Sequence, residues 1–261
     1  NKKYLKLIRS KKKIGIKNFI YDAISERIID SIDLINIKFE NILELGINED
    51  NIYEYLKIKF PHSKFTRLDI CLSNIKKNKE YSLLEADIDN CLIDKKKYNL
   101  IYSNFYCHLS NNFEKNLKNI NDGLKNNGFF IATIPDNENI YQLVNSMYKT
   151  DLSLYEGAYQ RINPTHNIDY ILAMLKKLNF EIPTVHSDLI QIEYSKFKDL
   201  IKEIKNMNLS YCYKDKKKLF EKKNYFKIVE KNYKENYFFN NNFLLDIKFN
   251  IISAWKKSNF I

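Results

Sequence analysis

Short apolar runs alternate with amphipathic stretches through the first half of the chain, and this alternation constrains the fold more than any other feature. Residues 41–46 form an apolar run that ends in glycine, and residues 52–60 then place apolar side chains every three or four positions. Further apolar runs lie at 65–69, 81–86, 98–102 and 129–134, with helical periods at 18–36, 73–79 and 113–125. Strands that alternate with helices form parallel sheets covered by helices on both faces. The pattern predicts a doubly wound α/β fold.

The second half of the chain has a different organisation. Helical periods at 140–149, 168–178 and 196–207 accompany an extended segment at 184–194. The last strand is predicted at 246–255, where apolar and polar side chains alternate as in an antiparallel strand with one exposed face. We therefore expect a basic N-terminal arm over 1–17, a core over 18–136, and cap helices with C-terminal strands that complete the same sheet over 137–261.

The charge of the chain has two possible explanations. The 261 residues carry 43 Lys and Arg against 32 Asp and Glu, and eight of the eleven net positive charges lie within the first 21 residues. Lysine, asparagine and isoleucine are abundant while only five glycines occur, as expected of a very A+T-rich genome. Basic side chains outside the arm are mixed with acidic ones, so nucleic-acid binding is not expected. Contact of the basic arm with an anionic partner or lipid headgroups stays open.

The cysteine content and the hydropathy of the chain indicate its cellular compartment. The four cysteines form no Cys-x-x-Cys pair, and no apolar run approaches the ~20 residues of a membrane span. We interpret the thiols as reduced packing residues of a cytoplasmic or mitochondrial-matrix protein.

Acidic residues follow successive predicted strands. Asp69 comes 23 residues after Gly46, close to the ~20 residues that separate a glycine turn from a ribose-binding carboxylate. Asp87 ends the next strand in the same way, and the turn after Gly46 contains neither lysine nor arginine. This favours an uncharged or cationic nucleoside over a pyrophosphate. Acids at strand ends also cap the helices that follow, so spacing alone leaves both interpretations open.

A series of motifs resembles the class I S-adenosylmethionine-dependent methyltransferases. The series consists of the segments 42–46, 68–70, 86–88, 98–104 and 124–128 in this order. The segments 21–27, 105–109, 139–143, 161–164, 188–194 and 252–256 narrow the resemblance to one branch. That branch holds the malonyl-carrier-protein methyltransferase of biotin synthesis and the arginine hydroxylase that assembles complex I. The resemblance implies a Rossmann-like fold with a mostly parallel seven-stranded sheet, an antiparallel C-terminal strand and a helical cap.

The resemblance also implies a cofactor, S-adenosylmethionine, and the residues that hold it. Gly46 is expected to let the backbone approach the methionine part and Asp69 to hold the ribose hydroxyls. Ile70 is expected to pack on adenine, and Asp87 with Ile88 to contact the adenine amino edge. Further cofactor-binding positions are Tyr21, as a lid, together with Glu44, Asn48 and Asn104.

The glycine turn departs from the family pattern at two positions. Asn48 and Asp50 stand where the family has its second and third glycines. Asparagine tolerates positive φ, so we expect Asn48 to preserve the turn. Asp50 places a side chain and a charge where the next helix should approach closely. A non-catalytic assembly or binding protein with a degenerate cofactor site is therefore the alternative to an enzyme.

Three further residues are predicted to act on the methyl acceptor, which we expect to be a protein side chain or a carboxylate on a carrier protein. His108 follows the fourth strand, where the family contacts cofactor or acceptor; a packed core histidine is the alternative. Arg161 has the planar donor set that clamps a carboxylate, with a surface arginine as the alternative. Tyr141 is expected to line the acceptor pocket, and ordinary aromatic core packing is the alternative for both Tyr141 and Tyr21. Methyl transfer requires mainly alignment. Hydroxylation requires an oxidant and usually a metal, and the four histidines show no ligand spacing for one.

Overall fold

The computed structural model describes residues 1–11, 18–75, 78–91, 93–207, 209, 211–212 and 221–258. Its contacts divide the chain into two compact units. The sheet unit consists of Arg9–Asp136, Thr165–Asp188 and Phe249–Ile261. The helical unit consists of Asn1–Ile8, Asn137–Pro164 and Leu189–Lys248.

Five parallel strands form the centre of the sheet unit. They are β1 (Asn41–Leu45), β2 (Lys64–Asp69), β3 (Tyr81–Glu85), β4 (Tyr98–Asn104) and β5 (Leu124–Pro135), in the order β3-β2-β1-β4-β5. The chain moves from β1 outward to β3 and then returns to β4 on the other side of β1. Ligands bind at the carboxyl ends of strands at such a switch point.

The sheet continues beyond β5 with two long strands. Residues 249–255 of β8 (Asn242–Lys256) run antiparallel to β5, from the pair Phe129–Trp255 to the pair Pro135–Phe249. The strand β6 (Phe180–Tyr194) follows β8 in the sheet order. Side-chain hydrogen bonds join Thr184 to Ser253 and Ser187 to Asn250.

Helices of the sheet unit bury the apolar faces that the sequence predicts. They are α2 (Phe19–Asp33), α3 (Asn51–Lys59), α4 (Phe113–Gly123) and α6 (Ile168–Lys177), together with a short 3-10 helix at Cys107–Leu109. Asn18, Asn112 and Asn167 each cap a helix by accepting from a backbone N–H of the first turn. A buried cluster joins Ile28 and Ile32 of α2 to residues of β1, α3, β4 and β5.

The helical unit is built around aromatic side chains. It contains α5 (Tyr141–Tyr155), α7 (Phe197–Asn206), α8 (Tyr225–Tyr237) and the two-residue strand β7 (Phe238–Phe239), which pairs with the start of β8. The rings of Phe197, Tyr233 and Phe243 lie 5.4 to 5.9 Å apart. Helix α1 (Lys2–Lys11) begins in this unit, and its last residues, from Arg9 onward, belong to the sheet unit.

The predicted α/β fold, with its mostly parallel sheet and antiparallel C-terminal strand, is confirmed. The helix predicted at 73–79 is wrong for the described part, because 73–75 and 79–80 form turns; residues 76–77 lie outside the described residues. Two helices were not predicted: α1, within the basic arm, and α8, within a Lys/Asn/Tyr-rich segment. Their lysine and asparagine residues mask the apolar spacing. In the part of the chain that the structure describes, no helix has the length and apolarity of a membrane span.

Candidate cofactor site

The candidate site lies where β1 and β2 end. Gly46 follows β1 with a φ of +83°, a conformation that side-chain-bearing residues rarely adopt, and its N–H donates to the carbonyl of Leu68 at 2.8 Å. Asp69 is the last residue of β2, and Ile70 follows it. The parallel register of β1 and β2 brings these two ends together, as the 23-residue spacing predicts.

Asp69 is the polar centre of this site. Its carboxylate is 1% exposed and accepts from the backbone N–H groups of Ile47, at 2.9 Å, and Cys71, at 3.1 Å. The same two oxygens also accept from Arg9, one from Nε at 3.2 Å and the other from Nη2. The carboxylate that was expected to hold ribose hydroxyls therefore holds a guanidinium of this chain.

Arg9 is buried in the site and bonded through all three guanidinium nitrogens. Beyond Asp69, Nη1 donates to Oδ1 of Asn48 at 2.6 Å and Nη2 donates to the carbonyl of Ile47 at 3.0 Å. Its Cζ lies 5.1 Å from the ring centre of Tyr106. Burial alone would lower the pKa of Arg9, but the charge of Asp69 and the hydrogen bonds to it outweigh burial and raise the pKa. Arg9 is therefore charged at any pH at which the protein folds.

Tyr106 fills the space over Gly46. A Cβ added at Gly46 would lie 2.0 to 2.4 Å from atoms of the Tyr106 side chain, so the ring packs directly on the glycine backbone. The Tyr106 hydroxyl accepts from the N–H of Ile70 at 3.0 Å. Tyr106 thus occupies the room in which the methionine part was expected, and its hydroxyl reaches the residue expected at adenine.

Asn48 acts through its side chain rather than through the turn. Its φ is not positive, so the expected reason for an asparagine here is wrong. Besides accepting from Arg9, its amide donates to the carbonyl of Asn104 and, at 3.5 Å, to that of Phe105. Asn104 in turn donates to Ser25 at 3.0 Å and accepts from Thr133 at 2.7 Å. Both asparagines belong to a buried polar network that joins the ends of β1, β4 and β5.

Glu44 and Asp50 both contact Arg67. Glu44 on β1 is buried against Nε of Arg67 on β2, and Nη1 of Arg67 donates to Asp50 at 2.7 Å. Burial raises the pKa of Glu44, which the charge of Arg67 offsets only in part. The Arg67 guanidinium also lies 4.8 Å from the Tyr53 ring centre. Arg67 neutralises the charge that Asp50 adds to this turn.

The remaining predicted cofactor residues surround this arrangement. Asp87, after β3, accepts from the N–H of Asp89 at 3.1 Å and so stabilises its own turn, while Ile88 is buried. Tyr21 is 1% exposed and packs edge-on against Phe105, with ring centres 6.2 Å apart. A ring that deep in the sheet unit is part of the core in this conformation.

His108 is a buried neutral histidine. Among the described residues neither ring nitrogen has a hydrogen-bond partner, and the ring packs edge-on against Phe105. Burial, together with the nearby charges of His166 and Arg9, lowers the pKa of His108 to about 3. As a neutral imidazole it has one ring nitrogen that can accept and one N–H that can donate, and the surroundings disfavour the imidazolium.

Arg161 and Tyr141 lie in the helical unit. The Arg161 guanidinium donates to Asp151, from Nε at 3.0 Å and from Nη2, and also to Glu221, while its Cζ lies 4.8 Å from the Tyr225 ring centre. It therefore clamps carboxylates of its own chain. Tyr141, 38% exposed, lines a cavity of about 610 Å³. The cavity is also lined by Asn137, Glu138, Asn139, Val144, Asn145 and Ile162.

The backbone turn and the carboxylate of the site fit S-adenosylmethionine, but the space beside them is filled in this conformation. The positive φ at Gly46 and the strand-end carboxylate of Asp69 are the features that a nucleoside with a short polar chain requires. Arg9 and Tyr106 fill the room beside them in this conformation. Sequence reasoning missed both residues and also Arg67. The sequence offered one signal for the two arginines, the rarity of arginine in this chain: only four of its 43 Lys and Arg residues are arginines.

Strand order, the antiparallel last strand and the glycine turn facing Asp69 define the fold of the class I S-adenosylmethionine-dependent methyltransferases. A solved structure of this class, an S-adenosylmethionine-dependent methyltransferase from Archaeoglobus fulgidus, superimposes with a TM-score of 0.51 at 15% identity, covering 90% of this chain and 94% of that one. At such identity the likeness concerns the fold alone.

Similar curated proteins come from the branch that the motifs predicted. The human mitochondrial arginine-hydroxylase NDUFAF5 is 24% identical over 209 residues, which are 78% of this chain and 60% of that protein. Malonyl-[acyl-carrier protein] O-methyltransferase 1 of Coxiella burnetii is 19% identical over 196 residues, covering 75% and 66%. The chain thus spans about 60% of the length of the NDUFAF5 proteins it matches. No family model matches the chain.

Proposed function

We propose that this protein binds S-adenosylmethionine at the Gly46–Asp69 site and acts as a methyltransferase on a protein side chain or on a carrier-bound carboxylate. The observation that carries the proposal is the glycine turn at positive φ facing a buried strand-end carboxylate at the switch point of the sheet. Gly46 and Asp69 would hold the cofactor, with Ile70, Asp87 and Ile88 around the base. When bound, the cofactor supplies an electrophilic methyl group.

The acceptor class is supported by the names of the relatives. One is an arginine-hydroxylase and another is a methyltransferase of a malonyl carrier protein, so both act on groups that proteins carry. The cavity beside Tyr141 is our candidate for the site that binds the methyl acceptor. For the cellular compartment we propose the bacterial cytoplasm or the mitochondrial matrix. His108 is kept neutral by its surroundings, so in our proposal it accepts a hydrogen bond.

A second candidate function is that of a non-catalytic assembly or binding protein. One observation favours it: Arg9 and Tyr106 fill the room next to Gly46 and Asp69. In this alternative the two side chains permanently replace the cofactor and stabilise the fold instead.

Isothermal titration separates the two functions. We expect saturable binding of S-adenosylmethionine, or of its demethylated product S-adenosylhomocysteine, to the full chain, and its loss in Asp69→Asn. Asp188→Asn, which removes a half-exposed carboxylate paired with Arg27, serves as the matched control and should bind normally. Absence of binding at millimolar ligand both in the natural chain and in Arg9→Ala would establish the non-catalytic alternative.

A further inference from the structure

The walls of the Asp69 pocket match the hydrogen-bonding edges of a guanidinium group. Asp69 accepts from Nε and Nη2, the Ile47 carbonyl accepts from Nη2 and Asn48 accepts from Nη1. The guanidinium carbon of Arg9 lies over the Tyr106 ring, 5.1 Å from its centre. A lysine ammonium, which is a point charge on a flexible stem, cannot satisfy acceptors arranged in this planar fork.

These acceptors are held by the fold and not by Arg9 itself. Backbone N–H groups of Ile47 and Cys71 fix the two oxygens of Asp69. The Asn48 amide is fixed by its donation to the carbonyl of Asn104 at the end of β4. The site is therefore organised before a guanidinium enters it, which reduces the entropy lost on binding.

The end of α1 is attached to the same region of the sheet unit by a second contact. Asn74, in the turn after β2, donates through its side-chain amide to the carbonyl of Ser10. Arg9 is thus presented to Asp69 by a short piece of chain whose backbone is itself hydrogen-bonded.

We propose that the Asp69 pocket is a guanidinium-binding site, that Arg9 is its resident intramolecular ligand, and that Arg9 competes with the ribose of S-adenosylmethionine for Asp69. Of these three statements, only the last, which names S-adenosylmethionine as the molecule that Arg9 competes with, rests on the proposed function. The cofactor binds the fraction of molecules from which Arg9 has withdrawn. If Arg9 is seated in about nine molecules of ten, the apparent Kd is raised about tenfold.

The guanidinium site is tested by chemical complementation without any cofactor. The full chain, Arg9→Ala and the control Arg27→Ala, which removes a half-exposed arginine of the same unit, are melted in N-ethylguanidinium or in equimolar ethylammonium. We expect N-ethylguanidinium at ten times its Kd to raise the Tm of Arg9→Ala by about 3 °C, and to leave the other two proteins without such a rise. Ethylammonium should have no such effect on any of them.

Two results would overturn the guanidinium site. One is an equal response of Arg9→Ala and the natural chain to N-ethylguanidinium; the other is a response that survives in the double variant Arg9→Ala/Asp69→Asn. Should Arg9→Ala fail to fold, Arg9→Lys is used instead, since it keeps a positive charge beside Asp69 but cannot form the fork. N-Ethylguanidinium must then raise the Tm of Arg9→Lys more than that of the natural chain.

The competition is tested by calorimetry with S-adenosylhomocysteine. We expect Arg9→Ala to bind it at least tenfold more tightly than the natural chain or Arg27→Ala, and N-ethylguanidinium to weaken that binding competitively. Equal affinity in the natural chain and Arg9→Ala would overturn the competition while leaving the proposed function intact. Binding by none of the variants would overturn the proposed function and the competition together, and the melting experiment would then decide the guanidinium site alone.

Discussion

At the scale of single residues, arginine is used sparingly and always against carboxylates. The chain has four arginines, and each of them pairs with an acid: Arg9 with Asp69, Arg27 with Asp188, Arg67 with Glu44 and Asp50, and Arg161 with Asp151 and Glu221. Lysine serves wherever a solvated charge suffices. The planar fork of arginine bonds two oxygens at once, a geometry that lysine lacks.

Arg67→Lys should therefore cost far more than the same change at Arg27. Arg67 is buried and bonds Glu44 through Nε and Asp50 through Nη1. A single lysine ammonium cannot serve both carboxylates in this geometry, and a buried charge that loses its partner costs about 3 kcal/mol in the free energy of unfolding. Arg27 is half-exposed, and the loss for Arg27→Lys should stay below about 1 kcal/mol. Urea unfolding of both variants measures the difference, and equal losses would contradict the buried-pair account.

At the scale of elements, the turn between β1 and α3 contains the part of the site that the sequence predicts. Local patterns predicted the strands and most helices around it, because a strand appears as a short apolar or alternating run and a helix as apolar side chains three or four positions apart. The Gly46–Asp69 arrangement was also predictable, since parallel strands bring their ends together. The contact of Arg9 with Asp69 was not, because it joins residues 60 positions apart and follows no periodic pattern. The packing of Tyr106 on Gly46 joins different elements in the same way.

Gly46→Ala tests how tightly this turn is packed. Its methyl group would meet both an unfavourable φ and the Tyr106 ring, so we expect a loss of about 3 kcal/mol in the free energy of unfolding. The double variant Gly46→Ala/Tyr106→Ala removes the clash and leaves the backbone strain. Relative to Tyr106→Ala alone, the alanine at 46 should then cost only about 1 kcal/mol. An equal cost in both backgrounds, measured by urea unfolding, would rule out the steric contribution of Tyr106.

Glycine at positions 48 and 50 should have two different effects. Asn48→Gly removes an acceptor of Arg9, so in our proposal it raises the affinity for S-adenosylhomocysteine. Asp50→Gly removes a partner of Arg67 and should lower stability without changing that affinity. Calorimetry and urea unfolding on the two single variants distinguish these effects, and a gain in affinity from Asp50→Gly would contradict the assignment of Asp50 to Arg67.

At the scale of the whole molecule, buried histidines make stability depend on pH. Because the pKa of His108 is lowered to about 3 in the folded state, the unfolded chain takes up a proton first as the pH falls below about 6.5. The contribution of the neutral histidine is therefore complete above that pH and is lost progressively as the pH falls towards 3. Burial also lowers the pKa of His166, which adds a loss of the same sign.

His108→Phe should reduce this dependence. Between pH 7 and pH 5 the natural chain is expected to lose about 2 kcal/mol of unfolding free energy through His108, and the variant should retain that amount. The exposed His62, changed to glutamine, is the control and should lose stability as the natural chain does. An unchanged pH dependence in His108→Phe, followed by urea unfolding at both pH values, would show that position 108 is not the source.

The pairing of β5 with β8 gives these measurements an intrinsic optical reporter. Trp255, the single tryptophan of the chain, pairs with Phe129 across the two strands, with ring centres 4.6 Å apart. Its fluorescence emission should shift to the red when this antiparallel pair separates and water reaches the indole. An emission maximum that stays unchanged in Arg9→Ala would show that the β5–β8 pair is intact in this variant, so unfolding can be followed separately from ligand binding.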